Sequence, residues 1–143
     1  MDSTHGYEHL SDEELLSGFE QSGLTPENFH HREHVRMAWI CVRKYGPSEA
    51  EKRLLQGIRE MAERAGAPQK FLYTTTVAWV RLVAAAMPPE PAQNLSFASW
   101  VADHPRLLSK DCLSEFYSRA VLESPAARLG WVEPNLAPLP TQY

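Results

Sequence analysis

Apolar residues recur along this chain at three- and four-residue intervals, in runs separated by Gly, Pro and short polar clusters, and that spacing predicts helices throughout. Leu15, Leu16 and Phe19 form the first run. Ser11-Asp12-Glu13-Glu14 opens it as a capping box, the Ser11 hydroxyl accepting from the Glu14 amide while Glu14 reaches back. The run stops near Gly23. Thr25-Pro26-Glu27 is a second start signal, with Thr25 as cap and Pro26 in the first turn. It is either a single turn delivering the chain to His30 or the beginning of the next helix; in the second case Glu27, four residues before His31, orients that imidazole. Val35, Ala38, Trp39 and Val42 form the next stripe, closed by Tyr45-Gly46-Pro47, where Gly supplies a left-handed exit and Pro cannot continue the helix. Pro47 and Ser48 start another helix, with Ser48 and Glu51 as its capping box. It carries Leu54, Leu55, Ile58, Met61 and Ala62 opposite a charged face, and Gly66-Ala67-Pro68 breaks it.

Threonine and aromatic residues make Lys70 to Thr76 compatible with a strand or a helix start. We read a helix entered at Tyr73 or Thr74, because Val77, Val80, Val83, Ala84 and Met87 continue as a helical stripe up to Pro88-Pro89. Projected backwards, that stripe puts Tyr73 and Thr76 on the inner face and turns Thr74 and Thr75 away. Residues 88–94 form a loop. Ser96 caps a short helix bearing Phe97, Trp100 and Val101, closed by Asp103-His104-Pro105, and Ser109 caps a longer one with Leu113, Phe116, Tyr117, Ala120 and Val121. Ser124-Pro125 starts a last turn that ends at Gly130. From Trp131 onward prolines exclude helix and central strand, leaving an extended strap anchored by Trp131, Leu136 and Leu139. The expected fold is all-α: one domain over residues 1–143, a bundle of about five to seven helices, with residues 1–10 as a flexible arm and residues 131–143 as a proline-rich C-terminal strap.

The candidate chemistry sits at the start of the second stripe, where three of the six histidines, His30, His31 and His34, fall within five residues. At about 100° per residue, His31 and His34 project onto the face of Val35, Ala38, Trp39 and Val42, while Arg32, Arg36, Arg43 and Lys44 fall on the other side. His30 lies at the edge of the apolar stripe, near Met37 and Cys41. Two inward imidazoles one turn apart suit convergence on a divalent metal ion, or a division of labour in which one is acid or base and the other orients a substrate. The structural alternative is a pair of core-edge histidines whose nitrogens meet backbone or hydroxyl partners. Tyr73 and Thr76 place hydroxyls on the buried side of a neighbouring helix, and such hydroxyls can pair with imidazoles; Thr76 bonding back to its own helix is the alternative there. The expected catalytic group is therefore His31, His34 and Tyr73, with Thr76, Trp39 and His30 contacting the ligand and His31 and His34 as the metal ligands. A catalytic zinc takes three protein ligands. Glu27, Asp103 and His104 are candidates for the third, whereas Glu33 projects outward.

Composition narrows the function classes. Apolar residues make up 43% of 143, enough for one substantial core. Fourteen basic against eighteen acidic residues, a formal charge of -4, disfavour a general electrostatic grip on nucleic acid or anionic membrane. Cys41 and Cys112 lack Cys-x-x-Cys spacing and read as small reduced core residues. There is no secretory signal, bilayer-length apolar run, G-x-S-x-G elbow or glycine-rich phosphate loop, so a cytoplasmic protein with a small-molecule partner is expected.

The histidine stretch Phe29 to Trp39, the Tyr73-Thr74-Thr75-Thr76 centre and the closing run from His104-Pro105-Arg106-Leu107-Leu108 through Ser124-Pro125-Ala126-Ala127-Arg128 to Trp131-Val132-Glu133-Pro134 together resemble a family of small, helical, functionally uncharacterised bacterial proteins. That family has an F-x-H-R-x-H-x-R-x-A-W start, a Y-H-x-T centre and an S-P-x-A-R…V-E-P end. The likeness spans roughly residues 29 to 138 and implies the fold and a shared site, with no named activity. His31 and His34 match the family's two histidines, and Thr74 stands where it has a third. The function expected is a small-molecule-processing enzyme of specialised metabolism using His31 and His34; the alternatives are a non-catalytic small-molecule binder and an interaction or scaffold protein with structural histidines.

Overall fold

The computed structural model describes residues 9–21, 23–25, 29–88 and 95–140, the side chain of Lys110 excepted. Among these residues seven α-helices run in the order α1 (Asp12–Glu20), α2 (His31–Tyr45), α3 (Pro47–Arg64), α4 (Tyr73–Ala85), α5 (Phe97–Ala102), α6 (Arg119–Leu122) and α7 (Pro125–Leu129). Three 3-10 segments, Pro68–Lys70, Pro105–Leu108 and Lys110–Glu115, lie between them, and there is no strand among the described residues. The fold is all-α, a single-domain bundle. No helix among the described residues is long and apolar enough to cross a membrane. The expected start signal at Pro26-Glu27, most of the 88–94 loop, most of the flexible arm and the last three residues of the strap lie outside the described residues.

The local signals explain most boundaries. Ser11 Oγ accepts from Glu14 N at 3.0 Å and Glu14 Oε1 accepts from Ser11 N at 2.9 Å, completing the capping box of α1. Gly46, at φ +88°, links α2 to α3 in a conformation that a Cβ would strain, and Pro47 supplies a pre-set φ in the first turn of α3. Gly46 is the cap, and the Ser48–Glu51 box does not form. Ser96 and Ser124 cap α5 and α7 as expected, through Ser99 N and Ala127 N. The single long helix expected after Ser109 is instead a 3-10 segment, a break at Tyr117-Ser118 and the four-residue α6, capped by Ser118. Ala120 is exposed there rather than inside.

Burial ranks the helices. In α2, Val35 and every residue from Met37 to Val42 are buried, so this helix is covered nearly all round and forms the axis of the bundle. It packs on both α3 and α4, which also pack on each other. α3 keeps a charged outer face and buries Ala50, Leu54, Met61 and Ala62; α1 crosses it where Phe19 lies over Gly57, leaving no room for a Cβ. The C-terminal strap is held mainly through its backbone. Thr74 Oγ1 donates to Gly130 O at 2.6 Å and accepts from Val132 N at 3.0 Å, Tyr117 Oη donates to Val132 O at 2.7 Å, and Leu136 N donates to Phe116 O. Trp131 and Leu139 pack on the core as expected, with Arg81 over the Trp131 ring at 4.2 Å. The Leu136 side chain, 56% exposed, does not anchor anything.

Candidate functional site

The histidine stretch is first of all a helix start. Phe29 precedes the N-cap His30, and His31, Arg32, Glu33 and His34 occupy the first four helical positions of α2. The Glu33 carboxylate folds back to accept from His30 N at 2.8 Å, as the third helical position of a capping box does. That is why Glu33 is buried rather than outward, contrary to the projection from periodicity. Phe29 and His34 occupy the two positions that a hydrophobic staple brings together, and their rings lie 4.7 Å apart. Phe19 stacks on the other side of Phe29 at 5.8 Å, tying this entry to α1.

The two imidazoles have different surroundings. His31 Nε2 is 2.9 Å from Leu107 O; a carbonyl only accepts, so this nitrogen carries the proton and donates. The ring also meets Trp79 of α4 edge-on at 4.5 Å. His31 thus joins α2 to α4 and to the Pro105–Leu108 segment. The His34 ring makes no hydrogen bond to any described residue, and burial followed by the charge of His31 brings its pKa from 6.5 down to about 4. Part of its surface stays accessible, but protein packs densely enough around the ring to keep it neutral at physiological pH.

His34 and His31 both line a cleft of about 900 Å³ between the start of α2, the first two turns of α4 and the segment from Asp111 to Glu123. Phe29, His30, Arg32, Thr75, Trp79, Asp111, Leu113, Ser114, Tyr117, Arg119, Leu122 and Glu123 complete the lining. Phe29, Trp79, Leu113, Tyr117 and Leu122 give it apolar surface, and the other lining residues are polar or charged. Asp111 and Ser114 arrive together because a 3-10 helix brings residues three apart onto one face, and the Ser114 hydroxyl donates to Asp111 O. Tyr117 presents its ring, while its hydroxyl is engaged by Val132 O; burial, then the charge of Glu133, pushes its pKa up to about 12.

Of the expected site residues, His30, His31 and His34 are brought together and the others are not. Tyr73, at the first position of α4, lines neither this cleft nor the other one that His34 borders, so a catalytic group with both histidines does not assemble. Thr76 is buried but donates to Leu72 O at 2.8 Å, its own helix absorbing the hydroxyl. Trp39 is fully buried against Phe97 and Trp100, away from both clefts, with its Nε1 unpartnered. Thr74, expected to turn away, is fully buried and pins the strap, and Thr75 is the α4 hydroxyl that reaches the cleft. Thr75 and Trp79 are four positions apart, one helical turn; that spacing was the available signal for Thr75. His104 packs on Trp100 at 5.1 Å and Asp103 is exposed, neither lining the cleft, and Glu27 lies outside the described residues. No group of three or more His, Cys, Asp or Glu side chains among the described residues is placed to hold a metal ion. His31 and His34 thus have no third ligand beside them among the described residues, and no chemistry is derived through a metal.

No family model, curated protein or solved structure matches this chain. The family resemblance of its histidine, threonine and strap motifs rests on those motifs alone.

Proposed function

We propose that this protein binds a small organic molecule in the cleft between α2 and α4, with the neutral His34 imidazole as a hydrogen-bonding wall. One observation carries the reading: a largely buried ring, kept neutral, has no hydrogen bond to a described residue and borders a cleft large enough for a ligand. A neutral imidazole offers one donor and one acceptor, so it suits a ligand hydroxyl, amide or carbonyl. Trp79, Leu113 and Leu122 supply apolar contact beside it. Two buried, unbridged cysteines suit a reducing compartment, and we place the protein in the cytoplasm.

An enzymatic role is the second reading, favoured by Asp111, Ser114 and Glu123 on the same cleft as both histidines. It asks more of His34. A general base works best with a pKa near the working pH, and a value of about 4 makes the ring a weak proton acceptor at neutrality. Binding without turnover is therefore the better-supported form. Screening a fragment library against the isotope-labelled chain by NMR tests it. Hits are expected to shift Thr75, Trp79 and His34 resonances and to be lost in His34→Ala at unchanged helical content. Hits that persist in that variant, or that map elsewhere, would end the proposal.

A further inference from the structure

A second cleft, of about 510 Å³, opens on the other side of the Phe29–His34 wall, between the start of α2, the C-terminal half of α3 and the turn that follows it. Its composition is unlike that of the first cleft. Phe29, Ile58, Met61 and Ala62 give it an apolar floor, and Arg64 and Lys70 are the charged residues among the described residues that line it. The cleft between α2 and α4 mixes Arg32 and Arg119 with Asp111 and Glu123, whereas no described carboxylate lines this one. In a chain of formal charge -4, a pocket whose charged lining among the described residues is two cations departs locally from the average field.

The two cations are available to a ligand. Lys70 is exposed and makes no ion pair among the described residues. Arg64 uses one nitrogen on Leu24 O at 3.2 Å, and a guanidinium has five donors in all. An apolar floor beside two cations complements an apolar body ending in a single anionic group. A purely apolar ligand leaves the cations unused, and a polyanion leaves the floor unused. We propose that this cleft binds a small amphiphilic monocarboxylate, with Lys70 and Arg64 holding the carboxylate and Phe29, Ile58 and Met61 covering the aliphatic or aryl body. The site is separate from the cleft between α2 and α4, and its failure leaves that reading untouched.

Octanoate, with octanol as its uncharged counterpart, tests this on the full chain by calorimetry and NMR. Octanoate is expected to bind and to shift the methyl resonances of Ile58, Met61 and Ala62, together with His34 on the shared wall. Octanol is expected to bind about tenfold or more weakly, since it lacks the charge that Lys70 and Arg64 pair with. Lys70→Glu, at an exposed position with no partner among the described residues, is expected to weaken octanoate by about as much while keeping the native spectrum. Leu122→Trp, which narrows only the other cleft, is expected to leave octanoate binding unchanged. Four results overturn the proposal: no octanoate binding at millimolar concentration, equal affinity for octanol, an unchanged affinity in Lys70→Glu, or shifts confined to Thr75, Trp79 and Ser114.

Discussion

Phe29 and His34 pack their rings 4.7 Å apart across the first turn of α2, and that pair is the wall common to two clefts. The relationship begins as a helix-start device. A residue just before the cap and one in the first turn pack together to fix the chain's entry angle. Because the second member is an imidazole rather than an aliphatic side chain, the same contact puts a hydrogen-bonding group where the clefts meet.

The two histidines should separate experimentally. His31→Ala removes the donor to Leu107 O and the contact with Trp79, so it is expected to lower stability by about 1–3 kcal/mol. His34→Ala breaks no hydrogen bond to a described residue, and it is expected to affect ligand binding more than folding. Urea unfolding of both variants beside fragment binding reads the split; equal stability losses without any loss of binding would make both histidines structural.

Acid should weaken the fold through His34. Its folded pKa lies below the unfolded value, so the unfolded chain binds the proton more readily. The stability gained from the neutral ring is complete above about pH 6.5 and is lost as pH falls toward 4. Between pH 7.5 and pH 5 this amounts to about 2 kcal/mol for a shift of this size. His34→Phe keeps the contact with Phe29 and removes the titration, so its stability should fall less over the same interval. Parallel denaturation curves at the two pH values check the difference.

Thr74 should be intolerant of a shape-matched apolar replacement. Thr74→Val leaves Gly130 O without its donor and Val132 N without its acceptor, at a cost of roughly 1–3 kcal/mol for each group that stays buried. Thr74→Ser, which keeps the hydroxyl, should cost much less. Limited proteolysis is expected to cut near Gly130 sooner in the valine variant, and equal cleavage of both variants would show that the strap does not depend on this residue.

Gly57→Ala should destabilise the protein although alanine is the better helix former. Propensity alone favours alanine by about 1 kcal/mol, but the new Cβ meets the Phe19 ring, and overpacking of this kind costs about 1–3 kcal/mol. A lowered melting temperature is the expected result, with partial recovery in the pair Gly57→Ala, Phe19→Leu.

The sequence by itself determined what neighbouring residues decide: the all-α class, the capping box at Ser11, the serine cap at Ser96, the helix start at Ser124-Pro125, the turn at Gly46-Pro47 and the irregular strap after Gly130. Those features depend on interactions a few residues apart, which the order of residues states directly. Orientation in the two most buried helices was left to tertiary structure. α4 buries Thr74 and Thr76 to Val80 almost without interruption, so it has no broad polar face to fix its phase; the projection put Thr76 inside correctly but turned the fully buried Thr74 outward and sent Tyr73 rather than Thr75 to the cleft. Glu33 also escaped periodicity, because a cap bond to His30 N draws it inward. The far wall of the cleft, from Asp111 to Glu123, follows a 3-10 period that helical spacing does not show. Only packing of that segment against α2 and α4 decided which polar groups would share a cleft with His34, since contacts between residues tens of positions apart depend on how whole helices fit together.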